Sequence, residues 1–357
     1  MSNVKKHKNF TACGDSEAEQ LLEGVLCEIG EALSGTGLSV FLGGSYGRGD
    51  GGVRQDRENG ILYNDLDFFV FAENAPNGAE KLLRDIARKY EALLKVDVDF
   101  SRVMTVRDIR NNAARLMMQE LKRGYRPVCG KDLLEEHLPA LPAEELPYSE
   151  ACRLLLNRGM GLLLAWEKIS SGSSDTDFIL RNINKAVLGG CDAVLIAAQQ
   201  YRWTLDERVT AVGELISDGA CKKLYADAAE FKKSPGRELK QDPQALWSAV
   251  RELFKACMIS VCGKECSLLE ANGKRECALK NLIKYCIKSR SIPGFPRKYM
   301  LPAVVALMPE LYAALENRPE KFPVGFIFIP GKLYAALENR PEKLEHSKLY
   351  QHWLIFN

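Results

Sequence analysis

The residues best suited to chemistry in this sequence are aspartates in closely spaced pairs. Asp65 and Asp67 stand two apart in ILYNDLDFFVF, residues 61–71, a run of aromatic and β-branched residues that reads as a strand. Alternation along a strand sends both carboxylates to one face, and two like charges side by side are costly unless a cation compensates them. An isolated Asp-x-Asp is usually a solvated strand end. Here Phe68, Phe69, Val70 and Phe71 follow without a break, which reads as a central strand whose acids emerge at an active edge. Residues 96–100, VDVDF, repeat the device, with Asp97 and Asp99 on one face and the apolar residues on the other. Carboxylates from two strands make a hard oxygen site of the kind that takes Mg²⁺ or Mn²⁺. Zinc fits less well. His7, His137, His346 and His352 are far from these strands in sequence, and Cys257, Cys262, Cys266 and Cys277 contain no CxxC pair.

Upstream of the acids, an apolar run over residues 38–42 leads directly into Gly43-Gly44-Ser45-Tyr46-Gly47-Arg48-Gly49. Glycines let backbone N–H groups approach a phosphate closely, and Ser45 adds a hydroxyl donor. The turn has neither the GK[ST] of a Walker loop nor GxGxxG spacing, and a glycine-rich turn alone is often only a turn. Its weight comes from standing on one strand while the acids stand on two others.

These residues need a framework, and the periodicity outlines one. Leu21, Leu22, Val25, Leu26 and Ile29 recur at helical spacing across residues 15–33, before the breaker Ser34-Gly35-Thr36-Gly37. A polar loop is expected to about Gly60, a helix over residues 79–94 and a strand over residues 95–101, giving the order helix, strand, glycine turn, strand, helix, strand. From Arg107 onward strand signals largely stop. Residues 107–123, 149–169, 178–201 and 207–217 carry apolar residues three and four apart, so a helical domain follows, with SGSSDT at 171–176 as a loop inside it. Pro139, Pro142 and Pro147 mark the change of regime.

In this order, Gly44-Ser45 after a strand, Asp65-Leu66-Asp67 on a second and Asp97 to Asp99 on a third, the chain resembles the polymerase-beta nucleotidyltransferase superfamily over about residues 15–135. The superfamily takes in poly(A) polymerases, CCA-adding enzymes, aminoglycoside nucleotidyltransferases, cyclic-oligonucleotide synthases and small bacterial proteins paired with toxins. The resemblance implies an α+β fold: a nucleotidyltransferase domain with a small mixed β-sheet flanked by helices, then an α-helical domain. The boundaries expected are 1–145 for the catalytic domain, 146–265 for a helical nucleotide-closing domain and 266–357 for a C-terminal helical, basic segment.

It also implies roles. Asp65, Asp67 and Asp99 would be the catalytic carboxylates and the ligands of two Mg²⁺ or Mn²⁺ ions, and Gly43, Gly44 and Ser45 would hold the β- and γ-phosphates of an NTP, with ATP the expected donor. Asp99 is preferred to Asp97 because Asp-Phe-Ser resembles the family's acid, apolar, small pattern. More loosely, residues 182–186, NINKA, and 192–201, DAVLIAAQQY, resemble a helix pair that closes over the nucleotide. By that likeness Lys185 would reach the triphosphate, while by its pattern it is equally a surface lysine on an amphipathic helix. Tyr201 is either a base-stacking or a core residue. The span from Ser45 to Asp65 is longer than the family's usual one, so residues 50–60 read as an inserted loop at the mouth of the site.

The activity implied is transfer of a nucleoside monophosphate to an acceptor hydroxyl with release of pyrophosphate; the alternative is a catalytically weak or inactive nucleotide-binding or antitoxin-like module. The acceptor is left open between RNA, a small molecule and a protein. Lys and Arg total 49 against 47 Asp and Glu, so no global field draws nucleic acid or a membrane surface. The local exception is residues 274–298, where Lys280, Lys284 and Lys288 fall on one helix face with Tyr285, Phe295 and Tyr299 interleaved. The eleven cysteines are irregularly spaced and read as reduced thiols. No apolar run follows the N-terminal lysines and no stretch approaches the ~20 apolar residues of a spanning helix, so a cytoplasmic protein without membrane contact is expected. LYAALENRPEK occurs identically at 311–321 and 333–343; two copies make no solenoid, and no function is assigned to them.

Overall fold

A computed structural model of the 357-residue chain describes residues 9–54, 60–73, 76, 78–233, 235 and 242–262. The basic stretch at 274–298 and the LYAALENRPEK copies lie outside the described residues. The chain divides into two compact units, one of residues 1–146 with 230–236, the other of residues 147–229 and from 237 onward.

The first unit is α+β. Its elements are α1 Ser16–Ala32, β1 Ser39–Leu42, α2 Gly44–Arg48, β2 Leu66–Phe71, α3 Ala79–Leu94, β3 Val98–Phe100, α4 Val106–Asn112, α5 Leu116–Arg123, β4 Arg126–Cys129 and α6 Leu133–His137. The sheet order is β3-β2-β1-β4, with β1 antiparallel to both β2 and β4 and β2 parallel to β3. The parallel pair follows from the crossover helix α3, which returns the chain to the same end of the sheet before β3 begins.

Each face of the sheet has its own core. Val40, Leu42, Leu66, Phe68, Val70 and Val98 are buried with Leu22, Val25 and Ile29 of α1 and Leu83, Ile86 and Tyr90 of α3. The opposite face packs Phe41 and Phe71 with Ile109 of α4, Met118 and Leu121 of α5 and Leu133 and Leu134 of α6. α1 begins where Asp15 caps it, the carboxylate accepting from Ala18 N at 3.0 Å.

Two sequence expectations change here. Strand signals were expected to stop after Arg107, yet residues 126–129 form β4 beside β1. It is short, carries Pro127 and pairs irregularly with a register shift between Val40 and Phe41, as the proline requires of an edge strand. The single helix expected over residues 107–123 is two, because Gln119, fully buried, bonds Ala113 O and Pro139 O and accepts from Leu141 N, pinning the break.

The second unit contains α7 Tyr148–Ser170, α8 Thr176–Ala197, α9 Leu205–Leu215, α10 Gly219–Lys233, whose last residues belong to the first unit, and α11 Pro243–Cys262. The α7 to α8 loop falls at SGSSD, as the composition suggests. Trp247 of α11 donates its indole N–H to Leu162 O of α7 at 2.7 Å and packs on Trp166 at 4.4 Å between centroids. Asp192, buried on α8, accepts from the Tyr225 hydroxyl at 2.7 Å and pairs with Arg208 at 3.2 Å, so its charge is compensated inside the helical core. No described helix is long and apolar enough to cross a membrane.

Candidate functional site

The aspartates owe their direction to the strands that carry them. On β2, Leu66, Phe68 and Val70 enter the α1/α3 core, so Asp67, Phe69 and Phe71 point to the other face. On β3, Val98 enters that same core and Phe100 packs against it, its ring stacked on Phe68 at 4.7 Å, which turns Asp99 the other way. Asp67 and Asp99 are register partners of the parallel pair. Two half-buried carboxylates therefore stand next to each other on one face. Asp65 directly precedes β2 and is also half-buried. Asp97 precedes β3, is exposed, and contributes its backbone carbonyl to Leu66 N at 2.9 Å; between the two alternatives, Asp99 is the one set opposite Asp67. Ser101 closes the strand, its hydroxyl accepting from Val70 N at 2.9 Å and its N–H donating to Phe68 O at 2.8 Å.

The glycine turn meets these acids. Gly43 leaves β1 by donating to the backbone carbonyl of Asp67 at 2.8 Å. Gly44 follows with φ +60°, and a Cβ built on it would lie 2.1 Å from Asp67 Oδ2. Only a residue without a side chain fits between the turn and the carboxylate. The turn, expected as irregular, closes into the five-residue helix α2, with Ser45 in its first turn and Gly49 at φ 80° ending it. The structure thus brings together Gly43, Gly44, Asp67 and Asp99, with Ser45 one residue and Asp65 two residues away along the chain. Lys185 lies in the second unit, half-buried on α8.

Tyr201 is a core residue: it is 1% exposed, accepts from Arg208 at 3.1 Å and meets Trp203 edge to face. Of its two sequence readings, base stacking is set aside, because no face of a ring so buried is open to a base.

Sequence reading missed Tyr46. It is fully buried within the glycine turn, and its hydroxyl donates to Gly52 O at 2.8 Å while accepting from Tyr63 N at 3.0 Å and Asn64 N at 3.2 Å. Burial pushes this phenol far above its ordinary pKa, so it serves as a neutral donor and acceptor. Tyr46 therefore ties the helix after the glycines to the segment that delivers Asp65. The partners are 17 and 18 residues away in sequence, which no local pattern reports. Tyr46→Phe should cost about 1 to 3 kcal/mol in denaturant unfolding, since half-buried Asn64 N loses this partner while Gly52 O and Tyr63 N keep the bond they make to each other at 3.1 Å. A variant of wild-type stability would show that the hydroxyl anchors nothing.

The loop expected over residues 50–60 has a built base. Val53 bridges Leu62 antiparallel, Arg54 N donates to Ile61 O at 2.7 Å, and Gly52 N donates to the Asn64 side chain at 2.7 Å. Residues 55–59 lie outside the described residues. Arg48 pairs with Asp50 at 3.5 Å and Glu120 at 3.6 Å, so its charge is engaged in holding α2.

The donor set at the sheet edge is carboxylate oxygen, which suits hard divalent ions. Among the described residues no group of three or more His, Cys, Asp and Glu side chains is drawn together closely enough to hold a metal ion. Cys13, Cys27, Cys129, Cys152, Cys191, Cys221 and Cys257 are free, and Cys191 and Cys221 stand 3.9 Å apart in the helical core, where hydrogen bonding among neighbouring thiols, and then burial, leaves both raised. A cleft of about 530 Å³ opens at the other end of the sheet, between the α1 to β1 turn and Gly130, and contains none of the candidate residues.

Comparison with protein-family models and with curated proteins finds no match for this chain. The functional reading therefore rests on the residues and their geometry.

Proposed function

We propose that the chain transfers a nucleoside monophosphate from an NTP, with ATP the expected donor, to an acceptor hydroxyl and releases pyrophosphate. The observation that carries this reading is the meeting of Gly44 with the Asp67 carboxylate beside Asp99. A turn without side chains next to a pair of acids offers phosphate-binding amides and cation-binding oxygens within one small space.

In this reading the Gly44 amide and the Ser45 hydroxyl donate to the β- and γ-phosphates, while the Gly43 N–H, expected to join them, is taken by the Asp67 carbonyl at 2.8 Å. Asp65, Asp67 and Asp99 would hold two Mg²⁺ or Mn²⁺ ions, whose chemistry when bound is to polarise the phosphates and lower the pKa of the acceptor hydroxyl. Asp99 takes the acceptor's proton as the new oxygen to α-phosphorus bond forms and the bond to pyrophosphate breaks. Positioning and charge neutralisation supply most of the rate, as in phosphoryl transfer generally. Lys185 is the further candidate for the triphosphate by family resemblance. The acceptor is RNA, a small molecule or a protein.

A second reading, a nucleotide-binding or antitoxin-like module with weak or no catalysis, is favoured by the lack of a gathered metal cage among the described residues. Incubation with each labelled NTP, Mg²⁺ or Mn²⁺ and a pool of acceptors separates the two, because only the enzyme yields a nucleotidylated product and pyrophosphate. Binding itself is tested by thermal unfolding. With Mg²⁺ present, an NTP at a hundred times its Kd should stabilise the protein by about 2.7 kcal/mol, a rise of a few degrees in Tm. An unchanged Tm at millimolar NTP would overturn the enzyme reading and favour the module.

A further inference from the structure

We propose that Phe231, Lys232 and Pro235, where the chain comes back to the first unit at the end of α10, act as a strap that positions Asp65, with Phe231 as its principal residue. The inference rests on the nucleotidyltransferase reading for its kinetic consequence, although the strap itself is a matter of contacts within the first unit.

Three contacts define it. The Phe231 ring meets Tyr63 edge to face at 6.3 Å between centroids. Lys232 Nζ lies 3.6 Å from Asp50 Oδ2, and Asp50 is in turn paired with Arg48 of α2. Pro235, buried, covers Gly52, where a Cβ would stand 3.0 Å from its ring. The strap thus touches both arms of the loop between the glycine turn and β2. On one arm it holds Asp50 and Gly52, and on the other Tyr63, two residues before Asp65.

The same two arms are joined from beneath by Tyr46, whose hydroxyl bonds Gly52, Tyr63 and Asn64. Tyr46 fixes the arms to α2 from inside, and the strap covers them from outside. Removing the outer layer leaves the hydrogen bonds in place but opens them to water, so the arms fluctuate more and Asp65 with them. The contacts are not equal. The pair of Lys232 and Asp50 is partly exposed, at 25% and 43%, and water screens much of its attraction. An edge-to-face pair between a half-buried Phe231 and a buried Tyr63 keeps its worth regardless of salt.

The experiment combines amide hydrogen exchange with kinetics on the full-length chain. In Phe231→Ala, exchange at Tyr63 and Asn64 should quicken about tenfold or more while β1 and β2 exchange as in wild type, because the opening is local. Transfer at saturating NTP should fall about tenfold with KM within about threefold, the mark of a displaced group that acts in the transition state. Phe231→Tyr, which keeps the ring, should restore both quantities. Lys232→Gln should show a smaller effect of the same kind. Unchanged exchange at Tyr63 and Asn64 in Phe231→Ala overturns the strap, and quickened exchange with an unchanged rate overturns its positioning of Asp65. If the wild-type chain transfers no nucleotide, the activity reading fails, and exchange alone still decides whether the strap holds the loop.

Discussion

Asp67→Asn is expected to reduce nucleotide transfer by at least about 10²-fold while the protein folds as before, because a charge at the reacting centre is lost without a change of shape. The amide is isosteric with the carboxylate. The bond that holds the turn to β2 uses the backbone carbonyl of Asp67, so Gly43 keeps its partner. Stability should hold or rise slightly, since Asp67 and Asp99 are register partners and neutralising one relieves repulsion between like charges. Asp65→Asn and Asp99→Asn should behave similarly. Asp97→Asn is the control: the side chain is exposed, Asp99 and not Asp97 is the register partner of Asp67, and the backbone carbonyl that Asp97 gives to β2 is untouched by the change, so transfer should stay within about twofold. Rates measured with saturating Mg²⁺ and NTP decide the matter. Near-wild-type turnover in Asp67→Asn, or an Asp97→Asn protein as impaired as Asp99→Asn, would remove the catalytic assignment from this edge of the sheet.

What the sequence revealed of this site depended on how local each feature is. The acids could be read because period-two alternation and a run of Phe and Val are properties of a few consecutive residues. The choice between Asp97 and Asp99 could not. It depends on the register of a parallel pair joined through α3, and a crossover helix leaves that register free until Val98 and Phe100 find the α1/α3 core. β4 was hidden for a related reason, since Arg-Pro-Val-Cys is too short to show a period and its proline speaks against a strand except at an edge. The five residues of α2 are likewise too few for helical periodicity, so GGSYGRG shows its glycines and conceals its helix. Tyr46, Gln119 and the strap at Phe231 act across 17 residues or more in at least one contact each, and side-chain partners at such distances are set by packing. The long amphipathic helices α1, α3, α7 and α8 were the easiest elements to read, because each repeats its pattern over several turns.

Gly44→Ala should be the most damaging change available at a position that carries no functional group. Two costs coincide there. The backbone sits at φ +60°, a region where a Cβ is disfavoured by about 1 to 2 kcal/mol. The added carbon would also lie 2.1 Å from Asp67 Oδ2 and 3.0 Å from its Cγ, far inside contact distance, so either the turn or the carboxylate must move. The carboxylate is the softer of the two, being a side chain on a strand whose backbone is held by β1 and β3. Its rotation would carry Asp67 away from its place beside Asp99 and from the Gly44 and Ser45 donors together. A misplacement of about 1 Å in such a site is worth about 10²-fold in rate, so transfer should fall by that much or more while unfolding free energy drops by about 1 to 3 kcal/mol. Gly24→Ala provides the comparison. Gly24 is exposed on α1 with no atom near its would-be Cβ, and alanine there should leave the rate unchanged and stabilise the fold by up to about 1 kcal/mol. Steady-state rates and denaturant midpoints on the two variants give the answer. A Gly44→Ala protein with the wild-type rate would mean that the contact between the turn and Asp67 has no part in the chemistry.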